Sequence, residues 1–176
     1  MENIKEVKIW FLLRIFMGWL MFWPFLDKLF GLGFSTCTDP KTGNFLGVLC
    51  KKAWLSGGSP TSGFLTNAVK GPFAGLFKSL AGSPAVDWLF MFGLLLVGLC
   101  MLFGIGVRIA GYSGALLVVL MFLAEAVPPA NNPLIDEHIL YAIIFIGLAM
   151  IRAGRFYGLG SWWRQTTLVK KFPILE

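Results

Sequence analysis

The chain has 176 residues, of which 57% are hydrophobic and only 14% charged, with a net charge of +6, and its mean hydropathy is +0.75. A water-soluble domain carries about 25% charged residues, so this composition excludes an ordinary soluble globular protein, and the length leaves little room for a second domain. The Lys and Arg residues sit beside apolar runs rather than among aromatic-rich binding loops, which argues against nucleic acid and for orientation signals and contacts to membrane lipids.

The first apolar run covers residues 9–30, opening IWFLLRIFMGWLMFWPF. It continues past signal-peptide length without a small-residue cleavage site, so it is expected to stay attached as the first span. Three more follow, at about 86–105, 109–127 and 136–153. Each approaches the ~20 residues needed to cross a ~30 Å hydrocarbon core, the fourth being the shortest. Lipid offers no hydrogen-bond partners, so helices are the expected way to satisfy these backbones. The expectation is an all-α, integral membrane four-helix bundle in which residues 1–176 form one domain.

The connections differ in length. Spans two and three meet in a tight turn around Gly104, Gly106 and Arg108, which forces an antiparallel hairpin. Spans three and four meet through VPPANNPLIDEH, whose prolines break the helix. Spans one and two are separated by a long loop, residues 31–84. Lys5, Lys8, Arg108, Arg152, Arg155, Arg164, Lys170 and Lys171 flank the ends on one side. The positive-inside rule then places both termini in the cytoplasm and the long loop outside, in the cell membrane. Within that loop Phe73, Leu76, Phe77 and Leu80 fall at i, i+3, i+4, i+7, the pattern of a short helix lying in the interface. It is expected to act as a lid packed on the bundle or as a ligand gate. Trp10, Trp23, Trp54, Trp88, Trp162 and Trp163 are expected as interfacial anchors. Gly93 and Gly98, and likewise Gly111 and Gly114, are expected to allow close helix contact.

This topology brings Asp27, Lys28, Asp87, Trp88, Glu125, Asp136, Glu137 and His138 to the loop side of the membrane. Converging polar groups there can bind a cation, relay protons or hold a headgroup. Asp87, Asp136 and Glu137 stand at helix N-termini, where the macrodipole favours a carboxylate with or without a further role. Glu125 stands at a C-terminal end, where the dipole disfavours an anion, and is the leading candidate for handling protons. His138, the only histidine, can pair with Glu125 or switch protonation near neutral pH. Arg14, inside the first span, is expected to snorkel to the interface, with an inward-facing role as the alternative. Cys37 and Cys50 are expected to form a structural disulfide in the loop, and Cys100 to pack as a small apolar residue. No Cys/His cluster suggests a metal site, and no flavin motif is present.

The segments GWLMFWPFLDKLFGLGF, WLSGGSPTSGFL, GPFAGLFKSLAGSPAVDWLFMFGLLLVGL, GIGVRIAGYSGALL and NNPLIDEHILYAIIFIGLAMIRAGRFYGLGSWW resemble the DoxX-like superfamily, and within it the DoxD-type small membrane subunit of thiosulfate:quinone oxidoreductase. The resemblance implies a four-span subunit that passes thiosulfate electrons to membrane quinone, giving tetrathionate, beside a DoxA-like extracytoplasmic subunit. Under that reading Glu125 and His138 handle protons, while Asp87, Trp88, Asp136 and Arg14 frame the quinone. The alternative is non-enzymatic: a membrane scaffold or accessory protein that holds an extracytoplasmic partner or lipid through its long loop, as a single chain or a homo-oligomer.

Overall fold

The computed structural model describes all residues except Met1, Glu2, Asn3, Ala126, Ala130, Asn131 and Pro133, and all side chains except those of these residues and of residues 4–6. Part of the proline-rich connection, where a helix break is expected, therefore lies outside the described residues. The described chain is helical: α1 (Ile4–Phe30), α2 (Ser62–Asn67), α3 (Ala74–Ser79), α4 (Pro84–Phe103), α5 (Val107–Glu125), α6 (Glu137–Met150), α7 (Gly160–Trp163) and α8 (Thr167–Lys171). The only strand-like pairing among the described residues is a single antiparallel bridge between Thr38 and Phe45.

Three helices, over Val7–Phe30, Pro84–Phe103 and Val107–Glu125, are long and apolar enough to cross a membrane; α6 is apolar but shorter. Their outward faces are as apolar as their inward ones. Phe16, Leu89, Leu96 and Leu116 are each more than half exposed, while Met91, Met101, Val118 and Phe145 are buried between the helices. Water would penalise that outer surface and lipid would not. The chain is a multi-pass membrane protein.

Local chemistry sets the ends of the helices. Pro84 begins α4, where its missing N–H costs nothing. Gly104, left-handed at φ 77°, ends it and turns the chain into α5. Asp136 caps α6, its side chain accepting from the backbone N–H groups of His138 and Ile139. α1 packs chiefly on α4 and α5 chiefly on α6, while α4 also meets α5 and α1 touches α6.

Small residues permit these contacts, since lipid gives apolar helices no solvophobic reason to associate and close packing must hold them. A Cβ at Gly98 would lie 2.8 Å from Phe22 Cβ, and one at Gly111 would lie 2.6 Å from the Phe145 carbonyl oxygen. Gly93 behaves otherwise. The nearest atom to a Cβ there is Leu117 Cδ2 at 3.8 Å, so Gly93 widens a gap between α4 and α5 instead of closing one.

The segment between α1 and α4 is tied down at three points. Asp27, 1% exposed, accepts from the N–H groups of Phe34, Ser35 and Thr36 and from the Ser35 hydroxyl at 2.8–3.1 Å. Cys37 and Cys50 form a disulfide. The Lys70 N–H donates to the Ala124 carbonyl at 2.9 Å, joining the segment to the end of α5. Leu65 and Val69 are buried with Ala124, and Phe64, Ala74 and Phe77 pack against them. This places α2 and α3 as a cover over one end of the helices, with Leu76 and Phe73 left on the outside.

Candidate functional site

Beneath that cover lies a cavity of about 760 Å³. Its walls come from Leu20, Met21 and Pro24 of α1, Leu94 and Val97 of α4, and Leu117, Val118 and Met121 of α5. Phe64, Leu65, Phe77 and Leu80 close the top. Leu89 and Leu116 also line it while being 77% and 61% exposed. The cavity thus runs from buried core residues out to the lipid-facing surface between α4 and α5, through the gap that Gly93 leaves. Pro24 has no N–H to give the Leu20 carbonyl, so that oxygen lacks its helical partner, and both residues are on the wall.

A few polar side chains enter this apolar space: Lys28, Ser35, Thr61, Ser113, His138 and Tyr141. Lys28 Nζ donates to Ser35 Oγ at 3.3 Å, and Ser35 Oγ donates to Asp27 Oδ2 at 2.8 Å. His138 Nδ1 lies 2.7 Å from Asp136 Oδ2. An ionised carboxylate only accepts, so Nδ1 carries the hydrogen and Nε2 is left for other work. Among the described residues, neither Nε2 of His138 nor the Tyr141 hydroxyl has a protein partner. Because α6 starts at Glu137, His138 and Tyr141 are three residues apart on one helical face. An apolar cavity with a small set of polar groups is the ordinary form of a small-molecule site.

The candidates singled out from the sequence divide into four places. His138 lines the cavity, with Asp136 behind it as its orienting partner. Glu125 is exposed at the end of α5 and is not among the lining residues. His138 pairs with Asp136, two residues before it, and not with Glu125. Asp87 and Trp88 face a second, smaller cleft. Asp87 Oδ1 accepts from Ser59 Oγ at 2.9 Å and from both the N–H and the hydroxyl of Thr61, so it pins the stretch that separates the two hollows.

Arg14 is the fourth, and it does not snorkel. It is fully buried at the end of the helices remote from the cover. Nη1 donates to the Ala153 carbonyl at 3.2 Å and Nη2 to the Tyr157 carbonyl at 2.5 Å, and its guanidinium carbon is 5.4 Å from the Phe11 ring centroid. These carbonyls follow the C-terminal end of α6, where a cation is favoured. Gly104 and Gly158 pack closely on it, and a Cβ at Gly104 would run into the guanidinium. Arg14 joins the last turn of the helical core to α1 and does not belong to the cavity.

Lys28, one of the polar groups expected to converge on the loop side, lines the cavity, and Ser35, Tyr141, Thr61 and Ser113 complete it without having been singled out from the sequence. Tyr141 carried a usable signal, its three-residue spacing from His138. Thr61 and Ser113 carried none, because their placement depends on how the cover and α5 meet. Among the described residues no group of three or more His, Cys, Asp or Glu side chains converges to hold a metal ion. No known family model, curated protein or solved structure matches the chain.

Proposed function

We propose that this chain is the membrane subunit of a sulfur-compound:quinone oxidoreductase, with thiosulfate as the first candidate donor, and that the cavity under α2 and α3 receives membrane quinone. In this reading α6 is the fourth span, both termini are cytoplasmic, and the cover lies on the outer face of the cell membrane. The observation that carries the proposal is an apolar, lipid-accessible cavity lined by His138, which Asp136 orients, and by Tyr141. Its volume and Leu, Val and Met walls suit a quinone ring with the start of its prenyl tail, and its few polar side chains offer partners for ring oxygens.

A bound quinone supplies an acceptor for two electrons and two protons. His138, its ring held in one orientation by Asp136, would when charged give a proton from Nε2 to a bound quinone. Tyr141 and Lys28 would hold the ring oxygens by hydrogen bonds, and the Lys28 ammonium would favour negative charge developing there. The electrons are released when two thiosulfate ions join as tetrathionate, on an extracytoplasmic partner of the DoxA-like kind. The Cys37–Cys50 disulfide acts as a staple of the cover.

Purified protein, extracted in mild detergent, should retain quinone on solvent extraction. Together with its partner it should reduce a short-chain quinone when given thiosulfate. Protein without retained quinone and without reduction in the reconstituted pair would exclude the reading. The scaffold alternative draws support from the apolar residues Phe34, Phe45, Val48 and Leu55 exposed in the long loop before the cover. It predicts a co-purifying partner that is lost on deleting residues 51–79, with no turnover.

A further inference from the structure

The smaller cleft, about 300 Å³, is lined by Trp54, Gly57, Gly58, Ser59, Gly82, Pro84, Asp87 and Trp88. Asp87 is 7% exposed. Its Oδ1 takes all three of the bonds from Ser59 and Thr61. Among the described residues Oδ2 has no partner, and no Lys or Arg lines the cleft. The cleft therefore holds one negative charge, fixed in place and half-satisfied.

Two indoles stand beside that charge. The Trp54 and Trp88 rings meet at 71° with centroids 4.6 Å apart, forming an aromatic corner. Phe92 stacks on Trp88 at 5.2 Å and fixes its plane. Gly57, Gly58 and Gly82 contribute backbone alone to the lining, and a Cβ at Gly57 or Gly82 would point into open space, with no atom within 4 Å. Trp88 is 52% exposed at the start of a membrane-crossing helix, the depth at which indoles meet headgroups.

A carboxylate beside an aromatic corner, without a competing protein cation, is the chemistry that holds an organic ammonium. We propose that this cleft binds one, a primary or quaternary ammonium carried either by the head of a phospholipid or by a free amine. The Asp87 Oδ2 atom accepts the charge and the Trp54 and Trp88 faces shield it from water. The proposal does not depend on what fills the larger cavity.

Tetramethylammonium chloride, titrated into the purified chain in nanodiscs, should quench tryptophan emission along a saturable curve, and potassium chloride at equal ionic strength should not. Asp87→Asn and Trp88→Leu should each weaken that binding about ten-fold, with helical circular dichroism unchanged. Trp88→Leu is on the surface and serves if Asp87→Asn does not fold. Native mass spectrometry in discs of mixed phosphatidylethanolamine and phosphatidylglycerol distinguishes the sources. One retained ethanolamine lipid, lost in Trp88→Leu, assigns the lipid head; saturation by tetramethylammonium with no retained lipid assigns a free amine. A response absent in the starting protein, equal in potassium chloride, or unchanged in folded variants overturns the proposal.

Discussion

His138 Nδ1 and Asp136 Oδ2 lie 2.7 Å apart at the first turn of α6, so one carboxylate both caps the helix and fixes the imidazole that faces the cavity. The arrangement couples stability to chemistry. Asp136→Asn keeps a cap side chain and should change stability by less than about 0.5 kcal/mol, yet it loses the carboxylate that holds the imidazole through Nδ1. Quinone reduction should then fall with little change in quinone affinity. Asp136→Ala should lose about 1 kcal/mol as well, seen as a lower midpoint of unfolding. His138→Phe should keep quinone bound and slow its reduction by about 100-fold or more, read by steady-state kinetics with the partner present.

The two glycines of α4 make opposite predictions. Gly93→Leu projects into the gap beside Leu117 and should leave the fold intact while abolishing quinone retention. Gly98→Leu meets the Phe22 backbone and should destabilise the α1–α4 contact by about 2 kcal/mol or more. Thermal unfolding in detergent and quinone content after extraction distinguish the two.

Arg14→Met removes both donors to the Ala153 and Tyr157 carbonyls. The Ala153 carbonyl keeps the Phe156 N–H at 3.2 Å, so the Tyr157 carbonyl alone is left without a donor, and the variant should lose about 1–3 kcal/mol of stability. Arg14→Lys, with no fork to span both carbonyls, should recover only part of it. Urea or dodecyl sulfate unfolding monitored by circular dichroism measures the difference.

Reduction of Cys37–Cys50 should loosen the cover without unfolding the helices. A closed loop of this length contributes about 3 kcal/mol, confined here to the tip of the segment. Limited proteolysis should cut between the two cysteines only after treatment with a phosphine reductant, while α1 and α4 stay protected.

Acid should loosen the same tip. The Asp39 carboxyl is held below its ordinary value, chiefly because it accepts the Lys41 backbone N–H, at 2.8 Å. A depressed folded value means that the contribution is present above the usual Asp range and lost as pH falls through the lower folded value, below about pH 4. Amide exchange at Lys41 should accelerate there, and Asp39→Asn should remove the pH dependence.

Much of the fold was legible because apolar runs and their breaks are local properties. The three long helices start and stop within two residues of the expected spans except at the N-terminal end of α1, and Gly104 turns the α4–α5 hairpin where the sequence places it. The short helix α2 was not visible, since SGFLTN has no periodicity of its own and is held by burial of Leu65 against α5. The candidate site was legible only in part. His138 could be named as the lone titratable imidazole, but its partner was sought in the anomalous Glu125, while the nearer Asp136 was read as a helix-end carboxylate or a residue framing the quinone. Arg14 could not be placed by depth alone, because its acceptors, Ala153 and Tyr157, are about 140 positions further along the chain.

The central claim is that membrane quinone occupies the cavity beneath α2 and α3, and photoaffinity labelling with an azido-quinone, mapped by peptide mass spectrometry, tests it most directly. The account predicts label on the lining segments around Gly93, Leu117 and His138–Tyr141, competed by native quinone and absent in Gly93→Leu. Label confined to the C-terminal tail or to the lipid-facing side of α1, or label that native quinone does not displace, would contradict it.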